Sequence, residues 1–176
     1  SVGKMRGMEY AMKSGIGTAS VDINGVIIGA LVAVNAVGDV VDASGAVIAG
    51  ARRSNGRFID SAQALMRGEL PRHLLPGTAT TIGVVATDAA LSKTQCNKLA
   101  AMAHDGLARS IRPIHTPFDG DTLFALATAR AAPSTAPDVL VLGSLAAEVM
   151  AQAVVHAVRA AGADAAMSMR SAAVSV

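Results

Sequence analysis

The stretch Thr80-Thr81-Ile82-Gly83-Val84-Val85-Ala86-Thr87-Asp88-Ala89 opens with two hydroxyl residues, continues as a small apolar strand and closes in a polar turn. Its approach, Leu75-Pro76-Gly77-Thr78-Ala79, is expected to be irregular, because Pro lacks a backbone donor and Gly tolerates unusual dihedrals. Strain or a chain break can therefore be accommodated just before Thr80. A hydroxyl residue after a weak loop and before a buried strand is the arrangement that an N-terminal nucleophile requires. In such a system the hydroxyl first breaks the peptide bond that precedes it, and the freed α-amine then serves as the base for attack on substrate. An unperturbed α-amine titrates at about 7.7–8.0, suited to proton transfer near neutrality. Taken alone, the pair reads more plainly as β-branched residues filling a pleated surface.

Upstream of this stretch, Gly3 to Met12 reads as a loop or short helical turn carrying Lys4 and Arg6, with Lys13 just after it, and Gly15-Ile16-Gly17-Thr18 as a turn. Ala19 to Ile23 alternates, Asn24-Gly25 is a strong hairpin signal, and Val26 to Val34 predicts a second strand. That strand is apolar on both faces, which places it inside a sheet and leaves Asn35 at its end. Gly38 to Ile48 holds short β-like pieces, and Arg57 to Glu69 predicts a short helix before the loop bounded by Pro71 and Pro76.

Downstream, Ser92 and Gln95 form an S-x-x-Q capping box, and Cys96, Leu99, Ala103 and Leu107 recur at helical spacing. They predict a helix of about four turns ending before Pro113. Asp121 to Thr128 reads as a strand. Pro137 to Ala160 reads as a long helix with Leu142, Leu145, Val149, Ala153 and Ala157 on one face. The small residues after Gly162 are expected to be mobile or to dock on a partner subunit. Strands from both ends of the chain with two long amphipathic helices predict an α+β layered domain over residues 1–176.

The chain of 176 residues is 52% hydrophobic and only 16% charged, with Ala, Val and Gly in excess and aromatics at 2%. Close packing of small side chains follows, with surfaces hidden in a homo-oligomer. A net charge of +2, no Trp and one Tyr argue against a nucleic-acid partner. Cys96, the sole cysteine, permits no internal disulfide, and without a signal-like region the expected compartment is the cytoplasm. Gly25 to Val34, the most apolar run, is about half the length of a membrane span, so no membrane partner is expected.

Several residues could carry chemistry. Asp119-Gly120-Asp121 sets two carboxylates two positions apart, which on a strand point the same way; a D-G turn or a cation site is the plainer reading. Asn35 could donate to an oxyanion or cap a turn. His104, Asp105 and His115 are declined as a relay triad, because adjacent residues on a helix do not face each other and no G-x-S-x-G occurs. No His or Cys pair stands at metal-ligand spacing, so neither metal nor cofactor is expected.

TTIGVVATDA from Thr80, MAHDGLARSIRP from Met102 and HTPFDGDTLFALAT from His115 together resemble the C-terminal part of the P1 peptidase family. That family comprises self-processing D-aminopeptidases, β-peptidyl aminopeptidases and nylon-oligomer hydrolases, and the likeness runs from about Gly3 to about Val158. It implies a four-layer αββα sandwich, also shared by ornithine acetyltransferases, with the front part of the domain missing from this chain. It also implies Thr80 as nucleophile and α-amine base, with Thr81 as rival, and cleavage between residues 79 and 80 to give 1–79 and 80–176. Asn35 would serve the oxyanion, Lys13 the electrostatics of the amine, and Asp119 and Asp121 the orientation of Thr80.

The sequence departs from the pattern at Ala79, where many relatives have Asn or Gly, so slower self-cleavage is expected. The implied substrates are short peptides or linear ω-amino acid amides, and the implied partner is an N-terminal fragment of the same precursor. Acyl transfer to an amine, or an inactive assembly module, are the alternatives.

Overall fold

The computed structural model describes residues 1–69, 77–131 and 138–173, with side chains described as far as residue 162. In chain order the strands are β1 (Ile16–Ile23), β2 (Val26–Ala33), β3 (Asp39–Val41), β4 (Val47–Ala49), β5 (Ile82–Thr87), β6 (Ile111–Arg112) and β7 (Thr122–Ala127). The helices are α1 (Ser61–Met66), α2 (Lys93–Ser110) and α3 (Val139–Ala173). The expectations placed on Leu75, Pro71, Pro76 and Pro137 lie outside the described residues.

Asn24 and Gly25 both take positive φ, 53° and 81°, a pairing that suits the right-handed twist of a two-residue hairpin. The Asp22 carboxylate accepts the Gly25 N–H at 2.8 Å, closing the turn. β1 and β2 pair antiparallel over their full length, from Ile16↔Ala33 to Ile23↔Val26. The predicted turn at Gly15 to Thr18 is thus mostly strand. Gly17 is there for proximity: a Cβ on it would lie 2.0 Å from the Ala153 carbonyl oxygen of α3.

β2 is internal, as its apolar composition predicts, and the sheet order is β1-β2-β5-β7. β5 runs antiparallel to β2 and parallel to β7, from Ile82↔Thr122 to Thr87↔Ala127. A parallel pair needs a crossover, and α2 lies in it. Both halves of its Ser92/Gln95 capping box are present.

α2 and α3 cover one face of this sheet. Leu99, Ala103 and Leu107 of α2 and Leu142, Val149, Met150, Ala153 and Ala157 of α3 join Val26, Ile28, Val32 and Val85 in the main core. Fully burying one such Leu or Val contributes about 1.5–3 kcal/mol. The two helices touch at Gly106, where a Cβ would stand 2.3 Å from the Ala147 carbonyl oxygen. By length and composition Val139–Gly162 could cross a membrane; here its apolarity is matched by packing on α2, β1 and β2. The helix continues to Ala173, past Gly162, where a mobile or docked tail was expected.

The opposite face of the sheet is apolar and bare. Ile27 is 51% exposed, Leu31 46%, Ile82 52% and Phe124 60%. The chain therefore supplies one helical layer and one sheet of the expected four-layer sandwich, together with a small second sheet in the order β4-β3-β6.

Asp39 ties that small sheet to its surroundings. Its side chain is buried and accepts the Ala51 N–H at 2.9 Å, the Ser61 N–H at 2.6 Å and the Ser61 hydroxyl at 2.9 Å. Burial pushes its carboxyl above the usual range, and these donors pull it partly back. Replacing Asp39 by Ala leaves two buried N–H groups without their acceptor, so Asp39→Ala is expected to destabilise the fold by about 1–3 kcal/mol in urea unfolding.

Candidate functional site

Thr80 is the first of two residues outside regular structure between a short bridge and β5. Ala79 before it forms a parallel bridge with Asp119, and β5 begins two residues later. Its peptide N–H donates to the Asn35 carbonyl at 2.7 Å, so the end of β2 fastens the nucleophile candidate directly. Its hydroxyl lies 2.6 Å from the Ala79 carbonyl oxygen and donates to it. The Gly120 N–H donates to the same oxygen at 2.9 Å. The carbonyl of the peptide bond preceding Thr80 is thus polarised by two donors, one of them the hydroxyl that would attack its carbon. Gly120 must lack a side chain, since a Cβ there would stand 2.9 Å from Thr80 Oγ1.

Strand alternation separates the two threonines. Thr80 is half-buried, whereas Thr81 is fully buried and its hydroxyl accepts the Asn35 N–H at 3.4 Å. Thr81 is sealed in the packing and Thr80 has an open side.

The Asn35 side chain lies beside this peptide and not on the Ala79 carbonyl. Its Nδ2 donates to the Thr78 carbonyl at 3.3 Å and its Oδ1 accepts from Lys4 Nζ at 2.6 Å. Lys4 also donates to the Thr78 carbonyl, at 2.8 Å. The lysine at the site is therefore Lys4, buried to 2% exposure. Lys13 is exposed and lines a separate cavity with Tyr10 and Arg52, away from Thr80. Lys4 is held in place by its own backbone, with Lys4 N–H on the Val37 carbonyl at 2.9 Å and Gly3 N–H on the Gly38 carbonyl at 2.8 Å. Burial draws its ammonium below the usual lysine range, and the carboxylate of Asp119 draws it back up. The sequence did carry a signal: Lys4 stands alone between Val2 and Met5, both of which are core residues.

The two aspartates do not face each other across a shared proton. Asp119 accepts the Val37 N–H at 3.2 Å through one oxygen, and the Thr116 N–H at 3.0 Å and hydroxyl at 2.6 Å through the other. It shapes the turn that presents Gly120. Asp121 accepts the Thr81 N–H at 2.8 Å, one residue past the nucleophile candidate, and its second oxygen meets His115 Nδ1 at 2.8 Å. Both precede β7, so their spacing belongs to a turn entering a strand. Pattern reading gave Gly120 no role of its own and declined His115 as a triad member, and the structure places both beside this segment.

A cavity of 870 Å³ lies elsewhere, lined by Thr18, Ser44, Arg109, Arg112, His156 and Arg159 among others, and Thr80 does not line it. Among the described residues no group of three His, Cys, Asp or Glu side chains is arranged to hold a metal ion.

This arrangement has relatives. A family model, peptidase family S58, matches residues 1–172. An uncharacterized aminopeptidase of Mycobacterium tuberculosis is 46% identical over 162 residues, covering 88% of this chain and 45% of the relative. A 6-aminohexanoate-oligomer endohydrolase of Kocuria is 32% identical over 159 residues, covering 83% and 44%. Among solved structures, the L-aminopeptidase D-Ala-esterase/amidase of Ochrobactrum anthropi, described as a variant of the Ntn-hydrolase fold, aligns with a TM-score of 0.53 at 27% identity, covering 84% of this chain and 40% of that one. A β-aminopeptidase of Burkholderia aligns with a TM-score of 0.51 at 26% identity, covering 89% and 43%. The fold is thus the α+β fold of Ntn-hydrolase aminopeptidases. The chain spans less than half the length of these curated relatives.

A hydrogen bond from a charged group contributes about 1.5–3 kcal/mol. Lys4→Met is therefore expected to raise the amide hydrogen-exchange rate of Thr80 in the uncut chain by about tenfold or more. Lys13→Met should leave that rate as it is.

Proposed function

Because the chain belongs to peptidase family S58, we propose that it carries the catalytic machinery of an amide hydrolase that makes its own nucleophile by cutting before Thr80. The observation that carries this reading is the Ala79 carbonyl, which has the Thr80 hydroxyl and the Gly120 N–H both directed at its oxygen. The hydroxyl oxygen adds to the Ala79 carbonyl carbon, and the negative charge that grows on the carbonyl oxygen is met by the Gly120 N–H. The C–N bond to Thr80 then breaks, its nitrogen takes the proton that the hydroxyl gives up, and an ester joins Ala79 to the Thr80 oxygen. Water hydrolyses the ester, leaving a carboxylate on Ala79 and a free amine on Thr80.

That amine arises where the peptide N–H of Thr80 already donates to the Asn35 carbonyl. The nearby Lys4 ammonium favours its neutral, basic form. In turnover the amine takes the proton from the Thr80 hydroxyl as it attacks the substrate amide, and an acyl ester forms. The leaving amine takes that proton, and water releases the acid. Asn35 and Lys4 bind the chain on the acyl side, where they now hold the Thr78 carbonyl. Asp119 presents Gly120, and Asp121 holds the Thr81 N–H. Short peptides or linear ω-amino acid amides are the proposed substrates, on the likeness to aminopeptidases and to 6-aminohexanoate-oligomer endohydrolases.

Mass spectrometry under denaturing conditions tests the reading. Wild-type protein is expected to yield a fragment beginning at Thr80, and Thr80→Ala to remain uncut and lose hydrolysis of a peptide amide by about a thousandfold or more. Amidase activity that survives Thr80→Ala would remove Thr80 from the mechanism.

A further inference from the structure

We infer that His115 is a positioning residue for the nucleophile segment, holding one oxygen of Asp121 so that the other fixes the Thr81 N–H and, through it, the Thr80 hydroxyl. The inference rests on the reading of Thr80 as nucleophile. Three observations support it. The Asp121 side chain is only 1% exposed, and a buried carboxylate persists only with partners. Its two oxygens divide between the Thr81 N–H and His115 Nδ1, each at 2.8 Å. Without the imidazole, one oxygen would be left to find another donor, and the carboxylate could swing away from Thr81.

Second, His115 has φ of 55°, in the left-handed region that a residue with a Cβ seldom occupies. Such conformations persist where surrounding contacts over-determine them. Packing alone does not account for this one, because the side chain remains 39% exposed. What fixes the ring is the contact to Asp121 on one side and the ring of His104 on the other.

Third, His104 of α2 lies 5.0 Å from the His115 ring centroid at 59°. Burial and, after it, the proximity of His115 keep His104 below the usual histidine range, with Asp121 and Asp105 opposing. The two rings are thus in tilted contact beside Asp121. The helix α2, the turn before β7 and the nucleophile segment are thereby linked in one chain of contacts: His104, His115, Asp121, Thr81.

The test uses the full chain with His115→Ala and His115→Asn. Asn tolerates the left-handed backbone, and its amide can donate to Asp121 in place of the imidazole. The readouts are the rate at which the fragment beginning at Thr80 forms, the exchange rate of the Thr81 amide, and the thermal midpoint of the uncut protein. A displaced reacting group can cost about a hundredfold. His115→Ala is expected to slow cleavage by about that factor, to speed Thr81 exchange and to lower the midpoint while the chain stays folded at the assay temperature, and His115→Asn to recover at least about tenfold of the rate.

Cleavage by His115→Ala at the wild-type rate would overturn the inference. So would equal slowing in both variants accompanied by equal loss of thermal midpoint. Thr80→Ala is run alongside: if it is uncut while His115→Ala cuts normally, the nucleophile stands and only the role of His115 falls. Fragment formation by Thr80→Ala, or none by the wild type, removes both.

Discussion

The hydrogen bond from the Thr80 N–H to the Asn35 carbonyl joins the exit of β2 to the entrance of β5, and the site is arranged around that junction. β2 and β5 pair from Ala33↔Ile82 inward, so Asn35 and Thr80 are what the two strands become once the ladder ends. Backbone groups freed at the end of a ladder need other partners. Here they are supplied by the Lys4 segment from one direction and the Asp119-Gly120-Asp121 turn from the other. The candidate position Thr80 thus sits at the end of a rigid core while its own peptide remains irregular, a combination suited to preorganised chemistry.

Much of this was legible in the sequence where the signal was local. Asn24-Gly25 and the Ser92/Gln95 box appear as expected, because turn and cap chemistry depends on neighbouring residues alone. β2 was placed inside the sheet from its apolar run, and the three blocks around Thr80, Met102 and His115 pointed to the family. Thr80 was separated from Thr81 by resemblance, and the structure adds the physical distinction, since strand alternation buries one and half-exposes the other.

The remainder depended on tertiary contacts. Lys4 reaches Asn35 across 31 positions of chain, and its apolar neighbours Val2 and Met5 do not show which distant group its ammonium meets. Lys13 was chosen by resemblance, whereas the lysine beside Asn35 and the Thr78 carbonyl is Lys4. His115 was set aside because a triad on helix-adjacent residues fails, which remains true of His104 and Asp105. Its actual partner, Asp121, lies six positions on, across a turn whose shape could not be read from residue types. Gly15 to Thr18 was taken for a turn because Gly usually punctuates; Gly17 instead lets α3 approach the strand.

The bare side of the sheet has a practical consequence. Ile27, Leu31, Ile82, Phe124 and Leu126 form a greasy wall facing water, and a contiguous apolar patch of this kind adheres to comparable surfaces, copies of itself included. Self-association of this polypeptide by itself will therefore vary with dilution and with mild detergent, even though Thr80 lies at the sheet's end and not upon that wall.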